Sequence, residues 1–179
     1  MKNKKEAGPD GIIGEILKNA GTHVTDFFVK FVNALFEKGI FATKWTESIV
    51  FPLFKKGDVN NPNNYIGISL CDASSKVHST IIKLRLQEWV EVNNITGELQ
   101  AGFKKNYSTI YHIFTLLALV QKQFALNRKL YVAFIDFEKA FDPINRKLLW
   151  PVLLKNGING KLYRCIKTAL KLGLDVDVR

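Results

Sequence analysis

The sequence predicts an α+β fold, and three of its features do so. Apolar residues recur at helical spacing in several stretches, two short strand-like runs flank a polar turn, and Leu130 to Ile135 forms an uninterrupted apolar run rich in β-branched and aromatic residues. After a Gly8-Pro9-Asp10-Gly11 turn, the spacing of Phe27, Phe28, Phe31, Val32, Leu35 and Phe36 predicts a helix with one buried face, stopped at Gly39. Ser48 to Phe54 reads as a short strand, edge-like or irregular because Pro52 has no N–H for a ladder. Lys55-Lys56-Gly57-Asp58 then turns away, the stretch from Val59 to Tyr65 is polar, and Ile66 to Leu70 returns as the partner strand. The result is a hairpin with a basic tip.

Ser74 or Ser75 is the expected N-cap of a helix whose Val77, Ile81, Ile82, Leu84, Trp89 and Val90 pack inward. Ser108 or Thr109 caps the next, with a face of Ile113, Phe114, Leu117, Val120 and Phe124 and an end near Asn127-Arg128. Leu130 to Ile135 is too short for a helix and is expected as a central, buried strand with Asp136 at its carboxyl end. Asp142-Pro143 reads as N-cap and first position of a helix through Leu148, Leu149, Val152 and Leu153 that stops at Asn156-Gly157. A last helix covers Lys161 to Leu172, and Val176-Asp177-Val178 alternates like a strand beginning.

A chain of 179 residues, 47% hydrophobic and 23% charged, suits one globular unit or a large piece of a bigger one, not a disordered tail. The formal charge of +10 and pI near 9.6 favour polyanionic partners. Cys71 and Cys165 stand far apart without a paired thiol or His, which excludes a disulfide framework or zinc motif and makes a reducing, intracellular setting the expectation. The longest apolar run, Ile113 to Val120 broken only by Thr115, falls short of the ~18 residues of a membrane span. The basic start is followed by Glu6-Ala7-Gly8-Pro9, which is no secretory signal. Nuclear or cytoplasmic location and oligomeric state stay open.

A carboxylate at the end of a buried strand emerges from a rigid element into the open end of a sheet. Asp136 holds that position, with Glu138 and Asp142 close by, a set suited to a hard, oxygen-liganded ion such as Mg2+. The plainer reading makes Asp136 a turn former and Asp142 a cap. The string Phe134-Ile135-Asp136-Phe137-Glu138-Lys139-Ala140-Phe141-Asp142 closely resembles the first catalytic motif of reverse transcriptases encoded by LINE-type (non-LTR) retrotransposons. Three further blocks agree in order and spacing. They are Ala7-Gly8-Pro9-Asp10-Gly11-Ile12, the pair Pro52-Leu53-Phe54-Lys55-Lys56-Gly57-Asp58 and Asn64-Tyr65-Ile66-Gly67-Ile68-Ser69-Leu70, and Gln100-Ala101-Gly102-Phe103 with Ser108-Thr109.

The resemblance implies a right-hand polymerase fold, with a fingers subdomain over residues 1–127 and the amino-terminal part of a palm over 128–179. It implies RNA-directed DNA synthesis on an RNA template and DNA primer from deoxynucleoside triphosphates, with Mg2+ in the complete parent. By the same resemblance Asp136 binds metal and is catalytic, Phe137 offers its backbone to the triphosphate, and Phe141 gates the sugar; without that context Phe141 is equally a core aromatic. Lys56, or less favourably Lys55, matches the lysine that neutralises incoming phosphates, though such a pair is most often a solvated hairpin tip. The family's later Tyr/Phe-Ala-Asp-Asp block has no counterpart, since the sequence contains no Asp-Asp pair. Two-metal nucleotidyl transfer needs further carboxylates, so the isolated chain is expected to be inactive.

Ile66 stands where the family usually carries Arg, and an aliphatic side chain cannot replace a guanidinium fork, which predicts weakened nucleotide binding. Lys104 stands where Arg is common, and Tyr107 and Tyr111 replace small or polar residues. Lys4, Lys5, Lys104, Lys105, Arg128, Lys129, Arg146 and Lys147 could line a template-primer groove, or be ordinary surface charge. His23, His78 and His112 lack ligand spacing and read as surface or half-buried residues. Two other functions compete: a non-catalytic RNA- or DNA-binding fragment, and a different metal enzyme using Asp136 and Glu138 with Asp175 and Asp177.

Overall fold

A computed structural model describes residues 3–137, 140 and 144–172. Its order is α1 (Gly14–Lys18), α2 (Thr22–Lys38), β1 (Ser48–Phe54), β2 (Tyr65–Cys71), α3 (Ala73–Val92), α4 (Thr109–Ala125), α5 (Arg146–Lys155) and α6 (Gly160–Leu172), with single 3-10 turns before each strand. Helices and a small sheet together make a mixed fold, as expected. The described residues divide into two compact units: those of Met1–Trp89 with Trp150–Arg179, and Val90–Leu149.

In the first unit, α2 ends where expected. Gly39 takes φ 68°, the left-handed conformation that glycine adopts without a Cβ penalty, and its N–H donates to the carbonyls at the helix end. It is also a point of close approach, because a Cβ there would lie 2.6 Å from Cβ of Arg164 on α6. Thr168 Oγ1 donates to the Gly39 carbonyl at 3.0 Å, and the Cys165 thiol to that of Phe36 at 3.7 Å. Val32, Phe36, Phe41, Ile82, Leu153, Ile158, Cys165 and Ile166 form the buried apolar core. The Arg85 guanidinium lies 3.8 Å from the Phe36 ring centroid, a cation–π contact. Trp89 Nε1 donates to the Asn156 carbonyl at 3.0 Å beside Gly157, whose φ of 76° ends α5.

The hairpin forms with Ser48 opposite Cys71 and Phe54 opposite Tyr65, antiparallel, as the two runs predict. Its polar loop is ordered by its own side chains. Asp58 Oδ1 accepts from the Asn60 N–H at 2.9 Å, Asn61 Oδ1 from the Asn63 N–H at 3.0 Å, and Tyr65 Oη donates to the Val59 carbonyl at 2.8 Å. The amino-terminal turn packs on the far end of this hairpin. The Gly11 N–H donates to the Gly8 carbonyl at 3.0 Å, and the Asp10 N–H to Asp72 Oδ1 at 3.1 Å. A Cβ on Gly8 would sit 2.4 Å from both the Asp72 nitrogen and the Cys71 carbonyl carbon.

Several expectations are corrected. Helix α3 begins at Ala73, with the Asp72 carbonyl accepting from the Lys76 N–H, so neither Ser74 nor Ser75 caps it. Ser75 is buried and its hydroxyl donates to the Trp45 carbonyl at 3.2 Å. Leu84 and Trp89 are exposed rather than packed inward. Ser108 stands at the N-cap position of α4 but its side chain makes no capping hydrogen bond, and Ile113, Phe114, Leu117 and Phe124 are exposed rather than packed as a face. Asn145 caps α5, accepting from the Lys147 N–H at 3.0 Å, so the helix starts three residues beyond Asp142-Pro143. Leu130 to Ile135 is not a strand: Phe134 is 85% and Ile135 83% exposed, and no described segment pairs with it. A strand exists only through lateral hydrogen bonds, and an apolar composition cannot supply the neighbour. The expected strand at Val176-Asp177-Val178 lies outside the described residues.

His78 is also corrected, being fully buried on α3. Its ring lies 5.4 Å from Phe41 and 5.5 Å from Trp45, and neither nitrogen has a hydrogen-bond partner among the described residues. Burial holds its pKa below the ordinary 6.5. The unfolded chain therefore takes up the proton first, so stability is full above 6.5 and falls as pH drops from there through the depressed native value. Asp72 has the opposite sign. Burial raises its pKa above 3.8, its bond from the Asp10 N–H opposing, so its contribution is present at low pH and lost as pH rises through the raised value. The urea midpoint should fall between about pH 7 and 5, and His78→Phe should flatten that fall while Asp72→Asn leaves it in place.

Candidate nucleic-acid interface

The basic loop of the hairpin is built as its motif predicts. The Lys55 N–H donates to the Asn64 carbonyl at 2.9 Å, which closes the end of the ladder and leaves Lys55 and Lys56 exposed on a loop tied down by asparagines. Asn64 Nδ2 donates to the Asp58 carbonyl at 2.9 Å across that loop. Gly57, at φ 96°, permits the sharp reversal next to Lys56. Ile66 pairs with Leu53 and is 47% exposed, so this face of β2 presents an aliphatic group and no donor.

The second unit brings two predicted cations together. Lys104 and Lys105 line one polar cavity of about 360 Å³ with Asn94, Thr96, Asn106 and Glu91. The backbone turns tightly here, with positive φ at Asn94, Phe103 and Asn106, so both lysines leave a short loop on the same side of a pocket rich in hydrogen-bonding groups. The Lys104 ammonium sits 4.4 Å from the Tyr107 ring centroid, and Tyr107 and Tyr111 are 5.6 Å apart. Both tyrosines are exposed, and Phe103 is 88% exposed. Aromatic faces interleaved with ammonium groups are what single-stranded nucleic acid binds, bases stacking and phosphates pairing. In the sequence Tyr107 and Tyr111 show only as departures from a motif. Their signal is the run Lys104, Tyr107 and Tyr111, the first two in the loop before α4 and the third in its first turn.

Arg146 and Lys147 open α5, Arg146 half-buried and Lys147 exposed. Cations at a helix amino terminus oppose its dipole, so they are not placed there by helix stability. Asp136 and Phe137 are both exposed, on a segment without regular secondary structure. Glu138, Phe141, Asp142, Asp175 and Asp177 lie outside the described residues. Among the described residues no three His, Cys, Asp or Glu side chains converge as a metal site. No helix of the described residues is long and apolar enough to cross a membrane.

Each unit thus carries its own group of basic side chains, the hairpin loop in the first and the lysine-lined cavity beside two exposed tyrosines in the second. The chain is 25% identical over 142 residues to a probable RNA-directed DNA polymerase from transposon BS of Drosophila melanogaster, a match covering 79% of the chain. It is 26% identical over 145 residues, 80% of the chain, to the probable RNA-directed DNA polymerase from transposon X-element of the same species. It is 25% identical over 129 residues, 72% of the chain, to a retrovirus-related Pol polyprotein from type-1 retrotransposable element R2 of Popillia japonica. The matches span 16%, 16% and 18% of those relatives' lengths. No protein-family model matches. The resemblance to non-LTR retrotransposon reverse transcriptases is borne out by these relatives.

Proposed function

We propose that the chain is a portion of a non-LTR retrotransposon reverse transcriptase, with fingers over 1–127 and the start of a palm over 128–179. The observation that carries its role is the Lys104–Lys105 cavity beside Tyr107 and Tyr111, a surface that suits an RNA template or RNA–DNA hybrid. Arg146 and Lys147 add phosphate contacts. Lys56, with Lys55, meets the phosphates of a deoxynucleoside triphosphate, Phe137 and Phe141 adjoin that nucleotide, and Ile66 weakens its binding by supplying no guanidinium. Asp136 is the catalytic carboxylate of this reading. The parent reaction is template-directed nucleotidyl transfer with Mg2+, and it needs carboxylates beyond Asp136. The isolated polypeptide therefore binds nucleic acid without extending a primer.

Fluorescence anisotropy with a labelled RNA–DNA hybrid, repeated across salt concentrations, tests this. Affinity should fall steeply with salt, and Lys104→Glu with Lys105→Glu should lower the log–log slope by about 1–2, one phosphate contact per lysine. Salt-insensitive binding, or an unchanged slope, would sink the assignment of the interface. Primer extension by the 179-residue polypeptide with Mg2+ and all four deoxynucleoside triphosphates should give no product above background.

A further inference from the structure

The ring of His78 is 0% exposed, and among the described residues neither of its nitrogens has a hydrogen-bond partner. A neutral imidazole carries one N–H donor and one acceptor, so two polar atoms are left unsatisfied, which a protein interior normally avoids. Against the ring lie Phe41 and Trp45, tilted at 53° and 48°, from the connector of residues 40–47 that joins α2 to β1. The turn inside that connector is closed on itself. The Trp45 N–H donates to the Ala42 carbonyl at 3.0 Å, the Glu47 N–H to that of Lys44 at 3.3 Å and Thr46 Oγ1 to that of Thr43 at 2.6 Å. Its contacts with α3 are the two rings on His78 and the bond from Ser75 Oγ to the Trp45 carbonyl at 3.2 Å. A segment held together internally and fastened to a helix at one buried point can leave as a body.

A second proton would make the ring a cation with two donors and still no acceptor, in a site without water. We propose that His78 is an acid-sensitive latch: a proton on its ring releases the 40–47 connector from α3 while α2, α3 and α6 stay folded. The charged groups on the surrounding elements do not counter this. Lys44 and Glu47 on the connector and Lys76 on α3 are exposed, Arg85 lies on Phe36, Glu37 pairs with Lys161, and Asp72 accepts from the Asp10 N–H. Burial is the cause that lowers the ring's pKa, and no charged side chain adds to it or opposes it. The open connector therefore takes up the proton at the ordinary value of 6.5 and the closed one less readily, so opening grows as pH falls below 6.5. The general loss of stability in acid described above does not require this; the latch adds that the connector gives way first and alone.

Amide hydrogen exchange of the 179-residue chain, followed residue by residue by NMR at about pH 7.5 and about pH 5.5 and corrected for the intrinsic pH dependence of exchange, tests this. Protection at Trp45 and Glu47 should fall by up to about tenfold between the two, the linkage of one proton. Exchange at those amides should not respond to low urea, because a local opening exposes little surface, whereas Cys165 and Ile166 on α6 should exchange with a strong urea dependence. His78→Leu fills the cage without a titrating group and should abolish the pH effect at the connector. Ser75→Ala should speed connector exchange at both pH values and keep the ratio between them, and it decides the matter with the urea series if His78→Leu does not fold. Three results would overturn the proposal: protection unchanged between the two pH values, greater protection in acid because the aromatic faces hold the cation, or connector exchange as urea-sensitive as that of α6.

Discussion

Phe36→Ala should cost about 3–5 kcal/mol of folding free energy, the range for emptying an aromatic site in a packed core. Phe36 is 8% exposed, its ring carries the Arg85 guanidinium at 3.8 Å, and its carbonyl accepts the Cys165 thiol. Truncation removes the ring from beneath the cation and leaves a hole where α2 meets α6. Phe27, on the same helix, is 71% exposed and stacks only on Phe31, at 6.4 Å between centroids. Phe27→Ala should therefore cost less than about 1 kcal/mol. Urea midpoints of the two variants, with m-values held constant, check the contrast. Equal losses would mean that the packing of α2 is not the one described.

Gly8→Ala should be the second severe change, and its cause differs from that of a neighbouring glycine. A Cβ at Gly8 meets backbone atoms of Cys71 and Asp72 at 2.4 to 2.6 Å, and backbone cannot swing aside as a long side chain does. The amino-terminal turn must then lift off the β2–α3 junction, losing the bond from the Asp10 N–H to Asp72. Overpacking of this kind costs about 1–3 kcal/mol or more. Gly11→Ala has open space and pays only for its φ of 69°, about 1 kcal/mol. Denaturant unfolding of both variants, followed by limited proteolysis near residue 8, should show earlier cleavage in Gly8→Ala alone.

What could be read from the sequence was what short-range chemistry decides. Gly39 stops α2 because a left-handed position needs glycine, and Ser48 to Phe54 pairs with its return strand because an asparagine-rich loop ties the two ends. Segments that depend on a distant partner were not legible. Leu130 to Ile135 has the composition of a buried strand but meets no neighbouring strand among the described residues, and the amphipathic stripe of α4 is exposed among them. His78 could not be placed because its cage of Phe41 and Trp45 comes from more than thirty residues away. The site divides the same way. The basic hairpin loop was readable from its motif, whereas the cavity that gathers Lys104 and Lys105 with Asn94 and Thr96 forms only when the chain turns back on itself.

The hairpin has a consequence for handling the protein in concentrated solution. Among the described residues the sheet has two strands, so both are edges there, and Ile49, Val50, Phe51, Leu53, Phe54, Ile66 and Ile68 are all exposed around them. Such a ribbon is a template for intermolecular cross-β pairing, and the rate of that pairing rises with the square of concentration. Proline at position 52 interrupts one edge by withholding a donor, and the lysine pair at the loop repels a second copy approaching end-on. Raising ionic strength weakens that repulsion, so edge-to-edge association in concentrated stocks should be faster at high salt than at low salt.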